Sequence, residues 1–384
     1  MQSSTDLRKT AESKWNKFLR GRGIFSSNSL EGSSPPSVFV GSFGYPRLSI
    51  GPMAVSGNSD SSFLDAPEKW AGMKLDDIVR YRMNLVRGIK HLRAQESSGR
   101  YIESLQDMVM CSHSADVQMI FEKPPIASSV LDGQSAPFGP IGNLKSAKFS
   151  SGSSEKKIER VYYDRDLLAG EAVLDLYTAG VEISKIQKCF SIGMMGKKRR
   201  LVPTKWSITA TDDIISKWLV NQILDEPQID SYETYYFEHL GNIFSIVLFP
   251  HRWMYEMVEA WYSNGVLGFG SDHEDARGIG HVPAIAGAYH AAKLAVAEYL
   301  YSRKVQAGVL VLREIGSEYS IPVGVWQVRE AVRSALAYKS VISEDLHNAL
   351  DNACSHMHIS KNEWLKQGHF IRMMLQKTLS EYMH

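Results

Sequence analysis

Acids and imidazoles are densest between Ser271 and His281, where Asp272, His273, Glu274, Asp275, Arg277 and His281 stand among glycines, ahead of a helical stretch that carries His290. Such a set can supply a general acid/base pair or hold a divalent ion. No two of these histidines are three or four residues apart, the spacing by which two imidazoles on one helix face share a metal, so a polar surface turn competes with that reading. A second polar stretch, Thr204 to Lys217, contains Lys205, Trp206, Asp212, Asp213 and several hydroxyls. Lys205 and a helix N-terminus there can bind a phosphate, whereas Asp212 and Asp213 need either a metal between them or a capping role at Thr211. The candidate catalytic residues are therefore Asp212, Asp213, His273, Asp275 and His281. Asp164 and Asp166 with Glu171 form a looser acidic group, for which helix capping is an equal explanation.

Positive charge is most concentrated at Lys197, Lys198, Arg199 and Arg200, with Lys205 close behind and Gly193 and Gly196 just before. Cations in this number hold a few phosphates by salt-sensitive contacts that do not read sequence. A solvated charged loop is the plainer alternative. At the chain's end, Gln376 is followed by Leu379, Tyr382 and Met383. One helical turn sets Leu379 beside Tyr382 as an apolar plug, while the Gln376 amide meets a polar pocket; this is the spacing of peptides that dock on a DNA sliding clamp. Met383 stands where a second aromatic is usual, which lowers the expected affinity. A last helix packed on the core by Leu375, Leu379 and Tyr382 is the competing reading.

The 384 residues, 44% of them hydrophobic, suffice for one large domain or two ordinary ones. With 43 Lys and Arg against 42 Asp and Glu, the net charge of +1 provides no global attraction to nucleic acid or membrane, so any polyanion contact must be local. Cys111, Cys189 and Cys354 lie far apart and fit neither a disulfide framework nor a zinc site, which points to a reducing, cytoplasmic setting. Met1 to Arg22 is basic but has no apolar run, so it is not a secretory signal. No stretch approaches the roughly 20 apolar residues of a membrane span. The absence of a phosphate-binding glycine loop and of a Gly-x-Ser-x-Gly elbow argues against nucleotide hydrolysis and serine-type hydrolysis.

These residues need elements to position them. Ser37–Val40 and Arg47–Ile50 read as strands between turns, and Lys74 to Arg93 carries apolar residues at helical spacing. Tyr101–Met110, Asp166–Thr178, Asp212–Leu224, Pro283–Tyr301, Val323–Ala337 and Glu344–Ser355 read as helices. Val117–Phe121, Tyr232–Phe237, Ile243–Phe249 and Gly308–Arg313 read as strands, with Gly241-Asn242 as a hairpin turn. Lys145–Lys157 is Ser-rich and polar, the expected surface loop and a possible subdomain boundary. The order lacks a steady βαβ rhythm and predicts an α+β fold with a largely antiparallel sheet. A basic arm at 1–25, with Trp15 and Phe18 to stack on a base or anchor to the core, precedes a core at 26–368 and a tail at 369–384.

Several motifs occur in order along nearly the whole chain: Pro35-Pro36-Ser37-Val38-Phe39-Val40-Gly41 with Gly44-Tyr45-Pro46, Lys123-Pro124-Pro125, Pro137-Phe138-Gly139-Pro140, Leu201-Val202-Pro203-Thr204-Lys205-Trp206, and Pro322-Val323-Gly324-Val325-Trp326-Gln327. In these the chain resembles the archaeal NreA DNA-repair family. The resemblance implies a role in the response to DNA damage together with the sliding clamp, PCNA, and places a clamp-binding peptide at Gln376, Leu379, Tyr382 and Met383. Many members also carry a cysteine-rich zinc segment near the N-terminus. Arg20–Ser34 here contains no cysteine, so no zinc is expected. The resemblance names no reaction. Three functions follow: a clamp-recruited repair factor touching DNA through local basic patches, a nucleic-acid- or nucleotide-processing enzyme with a cleft around 204–217 and 271–281, or a non-catalytic adaptor.

Overall fold

A computed structural model describes residues 27–57, 59–126, 137, 139–150, 152–263 and 265–375. The basic arm at 1–25 and the terminal motif Gln376, Leu379, Tyr382 and Met383 lie outside the described residues. The chain forms two compact units: an N-terminal unit up to Ile215 with Ile321–Trp326, and a C-terminal unit of Ser216–Ser320 and the residues from Gln327 onward. The Ser-rich stretch 145–157 falls inside the N-terminal unit.

In the N-terminal unit, strands β1 (Ser29–Ser34), β2 (Val38–Val40), β3 (Arg47–Ser56), β4 (Val86–Arg93), β5 (Ala115–Phe121) and β6 (Ile141–Phe149) pair in the order β1-β5-β6-β4-β3-β2. β1 also meets β3 at Ser33↔Val55, so five of the strands close into a ring; only the β4–β6 pair is parallel. β5 shows why: Ala115, Val117, Met119 and Phe121 point inward to Leu30, Val86 and Leu144, and the residues between them point out. Helices α1 (Leu75–Asn84), α2 (Arg100–Met110), α3 (Lys156–Tyr163), α4 (Ala169–Thr178) and α5 (Ile183–Ser191) follow. α5 packs on both α2 and α4, and α3 packs on α4.

Three local expectations change. The helix predicted over Lys74–Arg93 stops at Asn84, and the chain continues as β4, because β-branched Val86 and Ile89 with Gly88 suit a strand that pairs with β3 on one side and β6 on the other. The polar stretch 145–157 completes β6 and opens α3; β6 has one side largely wet, which hid its alternation. Helix α6 runs Thr204–Ile223, beginning seven residues before the expected cap at Thr211. The Pro203 carbonyl accepts from the N–H groups of Trp206 and Ser207, so proline sets the start and Asp212 lies mid-helix.

The C-terminal unit is built on β7 (Tyr232–His239), β8 (Asn242–Phe249), β9 (Met254–Ser263), β10 (Val266–Asp275), β11 (Gly308–Ile315) and β12 (Val341–Ser343), in the order β10-β9-β11-β8-β7-β12. Only β9 and β11 run parallel. The β7–β8 turn is Leu240-Gly241, at φ 51° and 70°, one residue earlier than expected, and His239 faces Asn242 across it. Helices α7 (Ala286–Arg303), α8 (Trp326–Ala337), α9 (Leu346–Ser355), α10 (Lys361–Gln367) and α11 (Phe370–Leu375) complete the described chain. Val247, Val258, Leu310 and Leu312 pack with Leu350, Trp364 and Ile371 of α9–α11. Tyr255, on the other side of β9, hydrogen-bonds the Tyr289 carbonyl of α7. With helices on both faces, β8 is buried along its whole length. No helix among the described residues is long and apolar enough to cross a membrane.

Candidate functional site

The acid-and-histidine stretch straddles the end of β10, so alternate side chains go to opposite faces. Asp272, buried, accepts from the Ile285 N–H at 2.8 Å and sits 3.2 Å from His281 Nε2. Glu274, also buried, pairs with Lys293 at 3.1 Å and accepts from the Tyr289 hydroxyl at 3.0 Å. His273 stacks on His369 with ring centroids 4.2 Å apart. Burial, together with His369 and His281, lowers its pKa, which keeps the ring neutral near pH 7. Asp275 binds Arg277 at 2.6 Å, and those hydrogen bonds hold its carboxyl below the ordinary range. His281 and Asp272 thus stand together, His273 lies on the opposite face of β10 against His369, and Asp275 is matched by its own neighbour. Among the described residues no group of His, Cys, Asp and Glu stands close enough to hold a metal ion.

Asp212 and Asp213 belong to the N-terminal unit. Asp212 is fully buried and accepts from Gln187 Nε2 at 3.0 Å. In the same unit, Asp164 accepts from the Asp166 and Leu167 N–H groups and Glu171 from that of Leu168, so these carboxylates satisfy backbone donors around the start of α4.

The cation run forms the loop after α5. Gly193 and Gly196, at φ 70° and 86°, turn the chain where a side chain at 193 would strike the Arg200 carbonyl. Arg199 is spent on the fold: its Nη2 donates to the Tyr162 carbonyl at 2.5 Å and the guanidinium lies 4.9 Å from the Tyr162 ring centre. Lys197, Lys198 and Arg200 remain exposed on this anchored loop. Lys205 lies in the first turn of α6 beside Trp206, whose exposed ring meets Tyr45 at 5.0 Å. Phe43, 96% exposed, occupies the same β2–β3 turn as Tyr45. Aromatics left in water beside cations are the parts from which base-stacking platforms are made.

A feature the sequence reading missed is a cavity of about 480 Å³ at the first turns of α3 and α5. Lys69, Lys156, Lys157, Lys185 and Lys188 line it, against the carboxylates of Asp65, Glu155 and Glu182. Asp65 ends a short 3₁₀ turn, Ser62–Asp65. It accepts from Ser37, binds Arg82 of α1 through Oδ1, and stands 3.2 Å from Lys188 through Oδ2. Burial pushes its pKa up, but Arg82, Lys188 and Ser37 outweigh this and hold the carboxyl below its ordinary value. Lys188 also donates to the Asp65 carbonyl at 2.5 Å, and Lys185 donates to the Cys111 carbonyl at 2.6 Å with Glu155 3.5 Å away. Burial lowers the Lys185 pKa, and pushes the neighbouring Cys189 thiol up to about 12, which makes that sulfur a poor nucleophile. The available signal was the three-residue spacing of Lys185 and Lys188, which sets both on one face of α5.

Fold and site define a two-unit α+β protein with a lysine-lined cavity and an exposed cationic loop on one unit. The chain belongs to the archaeal Nre family: residues 12–267 match the family described as archaeal Nre, N-terminal, and residues 274–382 match archaeal Nre, C-terminal. It is 36% identical to DNA repair protein NreB of Archaeoglobus fulgidus, over 92% of this chain and 91% of the relative. Identity to DNA repair protein NreA of the same organism is 34%, over 86% and 85%, and to DNA repair protein NreA of Haloferax volcanii 31%, over 87% and 84%. No solved structure matches the chain.

Proposed function

We propose that this chain is a DNA-repair factor that grips DNA through its N-terminal unit and is recruited to a sliding clamp, PCNA, through Gln376, Leu379, Tyr382 and Met383, in the cytoplasm at the nucleoid. The repair role is supported by relatives named as DNA repair proteins that align over most of both chains. The DNA grip rests on one observation above others: Lys197, Lys198 and Arg200 are held out to solvent by a loop whose fourth cation, Arg199, is committed to anchoring it. Phosphates are bound by such cations without sequence preference, and Phe43, Tyr45 and Trp206 add stacking surface.

The clamp partnership rests on the spacing of the terminal motif. The segment leading to it is tied to the sheet: the buried Glu256 carboxylate of β9 accepts from the backbone N–H groups of His369 and Ile371 at the start of α11. Tethering to a clamp encircling DNA raises the local concentration of a weak DNA binder without any new contact. In calorimetry with purified clamp, the full chain should bind and the Gln376→Ala, Leu379→Ala, Tyr382→Ala variant should fold alike and show no heat. A variant that binds as tightly as the parent would remove the clamp from the proposal.

A further inference from the structure

We infer that the lysine-lined cavity binds a terminal phosphate monoester, carried by the end of a DNA strand or by a free mononucleotide. Its volume of about 480 Å³ lies in the range of small-ligand sites. A concave site of that size admits one nucleotide at a chain end, whereas the unbroken, convex backbone of a duplex stays outside it.

Charge balance makes the stronger case. Structural ion pairs in a folded protein come matched, because an unmatched buried charge is costly. At Asp65 the match is already made by Arg82, which is itself buried, and Lys188 is a second cation on the same carboxylate. Across the lining as a whole, five lysines stand against the three carboxylates of Asp65, Glu155 and Glu182. Lys185, one helical turn before Lys188 on α5, adds a second fixed ammonium. An ammonium has three protons to donate. Among the described residues Lys188 uses two, on the Asp65 carbonyl and carboxylate, and Lys185 two, on the Cys111 carbonyl and Glu155, so each keeps one for a ligand. A phosphate monoester offers three acceptor oxygens and a charge near −2, which fits two fixed donors and the exposed Lys69 and Lys156.

Two further features agree. α3 and α5 both begin in the cavity lining, so the positive ends of two helices add to the field. The Ser184 N–H at the start of α5 is already taken by Glu68 at 2.8 Å, so lysines and not that amide would make the direct contacts. The site is distinct from the loop of Lys197, Lys198 and Arg200, and needs no sequence reading of the strand.

The test is fluorescence anisotropy on the full chain with one short oligonucleotide in three forms: 5′-phosphorylated, 3′-phosphorylated and hydroxyl-ended, with dAMP and inorganic phosphate as unlabelled competitors. A terminal phosphate at one of the two ends should tighten binding about tenfold, the worth of roughly 1.4 kcal/mol. Lys69→Ala with Lys156→Ala, two surface changes that leave the circular dichroism spectrum intact, should abolish that ratio. Lys188→Gln, which retains a donor for the Asp65 carbonyl, should reduce it independently. If dAMP binds in calorimetry and neither strand end discriminates, the free nucleotide is the source and the inference stands. If the hydroxyl-ended strand fails to bind while dAMP binds, the DNA-grip proposal fails and this one survives. Equal affinity for all three strands, with no binding of dAMP or inorganic phosphate at millimolar concentration, overturns it.

Discussion

Lys188 in the N-terminal unit and Lys293 in the C-terminal unit each lie about 3 Å from a carboxylate, and they illustrate two uses of the same pair. Lys293 is wholly buried beside Glu274, with the Tyr289 hydroxyl on the same acid; Arg313 is likewise enclosed with Glu259 and Asn242. These pairs lie inside a sheet covered on both faces, where charge must be balanced. Lys188 instead shares Asp65 with Arg82 and opens onto a cavity. The pairing distance is the same, so what separates a structural cation from a ligand-binding one is whether its acid already has a partner and whether the lysine has space in front of it.

The largest expected effect tests the enclosed pair. Lys293→Met leaves Glu274 buried without its ammonium and should lower unfolding free energy by about 3–5 kcal/mol in denaturant titration. A loss below about 1 kcal/mol would mean that these charges are not structural. Next comes Asp65→Asn, which removes one carboxylate partner from buried Arg82 and should cost about 2–3 kcal/mol at neutral pH. Because the folded carboxyl titrates below its unfolded value of about 3.9, its stabilisation is complete above that pH and is lost as pH falls through the lower folded value. The gap between parent and variant should therefore close on acidification below about pH 4; a gap constant with pH would break the assignment. Lys188→Gln, by contrast, leaves the Arg82–Asp65 pair in place and should cost no more than about 1 kcal/mol, which is what marks Lys188 as surplus.

A smaller effect concerns the exposed aromatics. Phe43→Ala and Trp206→Ala should weaken single-stranded DNA binding by about 1–3 kcal/mol for each base that is stacked, and duplex binding less. Equal losses on both substrates would make the two rings backbone contacts and not stacking surfaces, and no loss on either would assign them to another partner.

The α+β class, the largely antiparallel pairing and strands β2, β3, β5, β7, β8 and β11 were legible in the sequence, because β5 alternates apolar with polar residues and β8 is an almost unbroken apolar run; β1, β9, β10 and β12 carry no such plain signal. Lys74–Arg93 misled because helix and strand share Val86 and Ile89 as apolar positions, and only pairing with β3 and β6 decides between them. Thr211 looked like a cap because hydroxyl and acid stand together there, although Pro203 had already set the helix start. The cationic loop was visible as a run, but not the withdrawal of Arg199 into the contact with Tyr162. The cavity was hidden for a different reason: Lys69, Lys156 and Lys188 are far apart in sequence, and only the packing of α3, α4 and α5 brings them to one wall. Tyr45 and Phe43 were present in a turn motif, yet nothing in their spacing shows that they stay in water.

If the N-terminal unit holds DNA through Lys197, Lys198 and Arg200, its affinity must depend steeply on salt. Duplex affinity of the full chain measured across a salt series tests it most directly, since each phosphate contact contributes about 0.9 to the slope of log affinity against log salt. The Lys197→Glu, Lys198→Glu, Arg200→Glu variant should bind more weakly and lose about two to three from that slope. An unchanged slope with unchanged affinity would contradict the claim and move the DNA contact to another surface of the chain.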